Sequence, residues 1–294
     1  MSAVAVSRVT ETATATRRRP RNPRGRSGPV AIILQVLLFV MYGIPILWIL
    51  LTSIKSSDEV IGTQASIIFT PTLDAYVRAF EGQDLWPALA QSLIISTSTM
   101  VLVLAVAIPC AYALARVGGR WVTIALALLI VLQMMPQTAT VIPLFQIFGS
   151  WGLLDSTSGL VLADAALLTP FAIVLLRPFF RAVPIALEES ASIDGAGIVR
   201  RFFSIVLPVA RNGVATTATL VFLICWGEFL YAINFLLSPG TYPLSALLAQ
   251  QVSAFGIDWP ALMALSVITS IPILILFAAT YRLLREGLTV GAVK

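Results

Sequence analysis

The sequence predicts an all-α polytopic membrane protein with six transmembrane helices and both termini in the cytoplasm. Three observations lead there. The chain is 58% hydrophobic and only 11% charged, less than half the charge that a water-facing globular surface carries. Its mean hydropathy is +0.93. Its basic residues also fall almost entirely on one side of apolar stretches long enough to cross a bilayer. At 294 residues, the chain has room for one membrane domain with modest loops and not for a large soluble domain as well.

A bilayer core of about 30 Å needs roughly 20 apolar residues in a helix that satisfies its own backbone. The predicted spans cover about 30–54, 92–115, 121–145, 159–176, 214–237 and 260–281. Pro136 and Pro143 interrupt the third, and Pro272 lies in the sixth. With the amino terminus inside, Arg8, Arg17, Arg18, Arg19, Arg21, Arg24 and Arg26 precede the first span. Arg116 and Arg120 follow the second, and Arg177, Arg181, Arg200, Arg201 and Arg211 occupy the long loop after the fourth. Arg282, Arg285 and Lys294 end the chain. Of the 19 basic residues, only Lys55 and Arg78 fall outside, amid Asp58, Glu59, Asp74, Glu81 and Asp84. This is the positive-inside pattern.

The Arg-rich segment 1–29 reads as a disordered topogenic tail held near anionic lipid. A nucleic-acid arm or a transit peptide would share its composition. The rest, 30–294, reads as one membrane domain without internal repeats. The first apolar run is too long for a signal-peptide core, and no small-residue cleavage site follows it. Cys110 and Cys225 lie inside apolar runs, as small buried hydrophobes would. With no histidine in the chain, a Ser-His-Asp triad and imidazole zinc sites are excluded. Neither Lys55 nor Lys294 sits in a G-x-x-x-x-G-K-[ST] loop, so any ATP that drives this chain must be hydrolysed by a partner.

The loop from Arg177 to Gly213 opens as a helix at Pro184, with Glu188 and Glu189 in its early turns. Asp194-Gly195 breaks it. A second helix follows, with Ile198, Phe202, Ile205 and Val209 on one predicted face, until Pro208 ends or kinks it. An apolar hairpin outside the membrane marks either a protein-docking surface or an element lying flat on lipid.

These residues resemble the cytoplasmic signature of permease subunits in bacterial binding-protein-dependent ABC importers: E-A-A, three residues, G, nine residues, I-x-L-P. Here it reads Glu189-Ser190-Ala191, three residues, Gly195, nine residues, then Ile205-Val206-Leu207-Pro208, with Ser190 for the first alanine. The resemblance implies that segment 184–208 is a coupling helix seated in a groove of an ATPase subunit. Glu189, Ser190, Ala191 and Gly195 would form the docking elbow, and Ile205, Leu207 and Pro208 would pack it onto the spans. It further implies a second homologous permease, two ATPase subunits that use ATP and Mg²⁺, and an extracytoplasmic substrate-binding protein. This chain itself would bind no cofactor and no nucleic acid, and would lack enzymatic activity.

Other segments are similar to the carbohydrate branch of that family, and to the maltose transporter's second permease in particular. They are the ending Gly287-Leu-Thr-Val-Gly-Ala-Val-Lys294, Phe69-Thr70-Pro71-Thr72-Leu73 with Tyr76, Ala111 to Arg116, Ile142-Pro143-Leu144-Phe145, and Gly152-Leu153-Leu154-Asp155-Ser156. A carbohydrate importer of the bacterial inner membrane, working by alternating access, is the implied function. One departure is Trp226-Gly227-Glu228-Phe229 where many members have W-N-E-F.

Within the membrane, Glu228 is costly unless it meets a wet cavity or a partner. Either it lines or braces the translocation path, with Trp226, Phe229, Tyr231 and Asn234 around it, or it is a packed helix contact. Asp164 is expected near the outer interface and wet. Rival readings are a permease for another polar solute (a glycerophosphodiester, polyamine or peptide), a secondary transporter, and an intramembrane enzyme. A secondary transporter calls for inverted repeats and paired charges. An enzyme calls for a base or metal ligands that these spans lack.

Overall fold

The computed structural model describes residues 29–61, 69–82, 84–253 and 256–292, side chains excepted for Ile61 and 282–292. Apart from Pro29, the Arg-rich segment lies outside the described residues. The chain divides into two units, Met1–Ile46 and Leu47–Lys294. Helix α1 (Pro29–Thr52) supplies the described part of the first and runs on into the second. Short helices α2 (Ser57–Ile61) and α3 (Asp74–Glu81) follow, then the long α4 (Leu85–Arg116). Next come α5 (Arg120–Gln133), α6 (Gln137–Trp151) and α7 (Thr157–Ala182).

The loop after α7 contains α8 (Ile185–Ile193), α9 (Ile198–Arg201), one π-helical turn (Phe202–Val206) and α10 (Leu207–Val209). Then α11 (Arg211–Trp226), α12 (Leu230–Phe235) and α13 (Leu244–Gln250) lead to β1 (Val252–Ser253) and β2 (Gly256–Ile257). The two strands pair antiparallel with Val252 opposite Ile257. The described chain ends in α14 (Trp259–Ala292).

Among the described residues, four helices, α1, α4, α7 and Trp259–Tyr281 of α14, are long and apolar enough to cross a membrane. Two bent pairs bring the number of possible spans to six. The third predicted span is one of these pairs: α5 and α6 meet at 91°. Pro136 lacks a backbone N–H and disfavours helix in Met135, so the chain extends there before Gln137 starts afresh. In the other pair, Ile198–Val209 meets α11 at 75°. The fifth predicted span, 214–237, is also not one helix: α11 stops at Trp226 and α12 begins at Leu230.

The core lies among α4, α7 and α11, the most extensively packed helices. Ala107 and Ala111 of α4 are fully buried, as are Ala172 and Leu176 of α7 and Val221 of α11. Small residues let such backbones approach closely, which is how helices associate in lipid. Cys225 is buried here, whereas Cys110 is on the surface of α4, contrary to the expectation of two buried thiols. The start of α7 is fixed by Ser156, whose Oγ accepts from Gly159 N (3.1 Å) and donates to Leu153 O (2.6 Å).

Beside it, Asp155 has a left-handed φ of 55°, where carboxamide and carboxylate residues are enriched. Its carboxylate accepts from Leu237 N (2.8 Å), Ser238 N (2.9 Å) and Ser238 Oγ (2.5 Å). Its own N–H donates to Phe235 O (2.7 Å). The Asp155 turn is thereby latched to the segment after α12. The Ser238 and Leu237 donors hold its carboxyl below the usual value of 3.8, at about 2. A lowered folded value stabilises above the ordinary value and loses that stabilisation as pH falls through the folded one. The thermal midpoint of the purified protein is therefore expected to decline between pH 4 and pH 2. Asp155→Asn should start lower at neutral pH and decline less over that window; equal declines would show that this latch does not sense pH.

Candidate functional site

The hairpin after α7 is built by local rules. Pro184, with φ −60° and ψ 129°, precedes α8, and Asp194-Gly195 ends it. Gly195 has φ +80°. Its N–H donates to Ser192 O (3.1 Å) and Ala196 N–H to Ala191 O (2.9 Å), the paired bonds of a Schellman cap. No atom lies within 4 Å of where a Gly195 Cβ would stand. Glycine is needed for its backbone conformation and not for space.

The predicted apolar face of the second helix is rotated in the structure. The π-helical turn inserts an extra residue per turn. Val206 and Ala210 become buried and Phe202 half-buried, while Ile198 and Val209 are exposed. Pro208 follows directly, and the chain bends before α11 as the absent N–H permits. The exposed apolar residues of the hairpin include Ile185, Leu187, Ile193, Ile198, Val199 and Phe203, with Ile193 87% exposed. Of the residues implied as a docking elbow, Glu189 and Ser190 are exposed, Ala191 is half-buried and Gly195 lies at the tip. Ile205 and Leu207 are half-buried at the hairpin's root and Pro208 is exposed.

The acid that turns inward is Glu188, which the sequence reading did not single out. It is 8% exposed. Arg116, the last residue of α4, reaches it through Nε (2.7 Å to Oε1) and Nη2 (2.5 Å to Oε1). Tyr112 donates its hydroxyl to Oε2 at 2.5 Å. Arg116 also donates to Val183 O (3.2 Å), and Arg201 donates to Glu188 O (3.4 Å). The Tyr112 ring packs against Phe180 of α7 and Phe202 of the π turn, with centroids 5.9 and 4.9 Å away. Arg116 at a helix C-terminus and Glu188 in a first turn each favour their helix dipole. An arginine directly after a span, four residues beyond a tyrosine, was the signal available in the sequence.

A second cluster lies where the helix breaks meet. Glu228 sits in the gap between α11 and α12, and its carboxylate accepts from Tyr231 N (2.8 Å) and Ala232 N (3.1 Å). It thus satisfies donors that the start of α12 leaves open. Gln137, the first residue of α6, donates to Glu228 Oε1 at 2.7 Å. Tyr231 donates to Thr140 Oγ1 (2.5 Å), whose proton goes to Gln137 O (2.7 Å). The break at Pro136 and the break at Gly227 are thereby joined. Ser245 Oγ donates to the Glu228 carbonyl at 2.6 Å.

The other residues proposed to surround Glu228 differ in placement. Trp226 is 2% exposed, stacks on Phe222 and donates Nε1–H to Thr269 O (3.2 Å). Tyr231 is equally buried, Asn234 donates to Leu230 O in its own helix (2.6 Å), and Phe229 is 41% exposed. Asp164, expected to be wet, is 1% exposed on α7 and accepts from Cys225 Sγ at 3.3 Å. Its α7 neighbours Ala163 and Leu168 are buried as well, so protein encloses it in place of water.

Residues 104–290 match the family described as binding-protein-dependent transport system inner membrane component. The chain is 32% identical over 269 residues to the sulfoquinovosyl glycerol transport system permease protein SmoH of Agrobacterium fabrum, covering 90% of this chain and 94% of that one. It is 33% identical over 255 residues to the trehalose transport system permease protein SugB of Mycobacterium tuberculosis, covering 85% and 92%. Its fold is similar to a chain in the crystal structure of a bacterial ABC transporter that imports the acidic polysaccharide alginate. The TM-score there is 0.71 at 23% identity, over 87% of this chain and 97% of that one. The matched region holds the C-terminal part of α4 and the helices after it as far as residue 290 of α14, both clusters included, and the chain belongs to the family of binding-protein-dependent transport system inner membrane components.

Proposed function

We propose that this chain is the permease subunit through which an ATP-driven importer moves a carbohydrate across the bacterial inner membrane. The observation that carries the reading is the hairpin of α8 to α10. It presents an apolar surface tipped by Ile193 and Gly195 while its inner side is tied to α4 by Glu188. Exposed apolar residues gathered on one hairpin suit a protein partner, and the tie to α4 suits a lever. Six spans with both termini inside agree with the distribution of Lys and Arg. The partners are then two ATPase subunits that consume ATP and Mg²⁺, a second homologous permease, and an external binding protein that delivers the cargo. Cargo of the sugar class is supported by the names of the relatives, among them transporters of sulfoquinovosyl glycerol, diacetylchitobiose and trehalose. Glu228 and Gln137 sit where two broken helices meet, the kind of backbone that membrane proteins keep for a cavity or path.

Gly195 supplies the test. A β-branched residue at φ +80° is strained by sterics alone, whereas asparagine tolerates that region. Gly195→Val is expected to cut co-purification of the ATPase subunits and uptake of radiolabelled trehalose or diacetylchitobiose at least tenfold. Gly195→Asn should keep both within about twofold. Equal retention by both variants would remove the elbow from the docking surface. Uptake of neither sugar by wild-type cells, with the ATPases still bound, would move the cargo to another class.

A further inference from the structure

The hairpin is joined to the membrane helices by two covalent roots, at Val183 to α7 and at Ala210 to α11. The structure adds a third attachment, from Glu188 to the end of α4. It is short, nearly enclosed and redundant, with Arg116 and Tyr112 both reaching the same carboxylate. Arg177 Nε also donates to Leu114 O (3.0 Å), so α7 grips the same last turn of α4.

What α4 touches at its other end matters. It is a continuous helix of 32 residues, roughly 48 Å long, packed on both α7 and α11. Near its start, Ser92 Oγ accepts from Leu244 N at 2.8 Å. Ser92 and Ser96 line a small cavity of mixed polarity, with Asp164 and Glu228 as well as Leu160 and Trp226. One continuous helix, with Pro109 within it, therefore runs from the hairpin to the junction of the broken helices. Charge-assisted bonds are shorter and stronger than neutral ones, and in a site this enclosed they do not slip as exposed pairs do.

We propose that the Arg116–Glu188 pair, clasped by Tyr112, is the strap that carries the hairpin's displacement into α4 and so to the Glu228 junction. Glu188 acts as a positioning residue and Glu189 faces outward. This rests on the reading of the hairpin as an ATPase-docking element. Docking and transmission are separate roles, and they can be measured apart.

The experiment uses the whole assembled importer with cysteine-free partner subunits. Monobromobimane is attached to Cys110, the exposed thiol of α4, in a Cys225→Ala background. Three quantities are read: ATPase co-purification, ATP hydrolysis rate, and the bimane fluorescence change on trapping with ATP and vanadate. Glu188→Gln keeps the side chain's volume but removes its charge. It is expected to co-purify normally and hydrolyse ATP within about twofold of the parent. Its fluorescence change should fall below a tenth. Exchanging the partners, Arg116→Glu with Glu188→Arg, should recover much of the signal.

An unchanged fluorescence response in Glu188→Gln overturns the strap while leaving the docking reading in place. Absence of any response in the parent overturns it too, since α4 would then not move. Loss of co-purification in Glu188→Gln would make Glu188 part of the docking surface's own fold and would also overturn the strap. Failure of the parent to hold any ATPase subunit would instead refute the docking reading on which the strap depends.

Discussion

Glu228→Ala is expected to destabilise the protein by about 3 kcal/mol, because it strips partners from groups that cannot turn to water. Tyr231 N and Ala232 N would lose their acceptor at the start of α12, and Gln137 would lose the carboxylate that ties α6 to α12. Removing an N-terminal cap alone costs about 1 kcal/mol in ordinary helices, and here a cross-helix bond goes with it. The conservative variants separate the causes. In Glu228→Gln the remaining carbonyl can still accept from Gln137 and Tyr231, which share Oε1, but an NH₂ group would face Ala232 N. Glu228→Asp keeps the charge and shortens the reach by one methylene. Thermal unfolding in detergent should rank the losses as Ala above Asp above Gln. If Gln fails as badly as Ala while Asp is tolerated, the negative charge itself, and not the cap, is what this position supplies.

The same residue marks how far the sequence could be read. Its presence within an apolar run was conspicuous, since buried acids are expensive. That it ends one helix and starts another was not legible, because Gly227 and Glu228 each occur inside spans and only their bonds to α12 show the break. Pro136 did announce an interruption, and the right-angle turn is its consequence. In the hairpin, Asp194-Gly195 gave away the cap by residue type alone. The inward acid was harder. Glu188 and Glu189 are adjacent, so a helix start displaced by one residue exchanges their faces, and only Arg116 beyond span two decides between them. The apolar stripe was placed by a period of 3.6 residues, and one π-helical turn was enough to put Val206 inside and Val209 outside. Asp164 shows the opposite limit. Its position near a span's start suggested water, but packing of α7 against α4 and α11 encloses it.

Gly213→Ala is the other change for which a large effect is expected. Gly213 is buried in the first turn of α11, just beyond the hairpin's second root. A Cβ there would lie 2.6 Å from both Cβ and Cδ1 of Phe179. The obstruction includes the fixed base of the ring's side chain, so a change of rotamer does not relieve it, and α7 and α11 would have to part. Overpacking of this kind costs about 1–3 kcal/mol, and at this place it also shifts both roots of the hairpin. Loss of thermal stability and of co-purifying ATPase subunits should therefore go together in Gly213→Ala. Because the clash is with one residue, the double variant Gly213→Ala/Phe179→Ala should recover part of the stability despite the lost aromatic contact. The two changes would then be non-additive by about 1 kcal/mol or more, as expected for residues in direct contact. Strict additivity would mean that the helices already give way at this point, and that the hairpin's roots are held elsewhere, with the bonds of Arg116 and Arg177 as the remaining anchors.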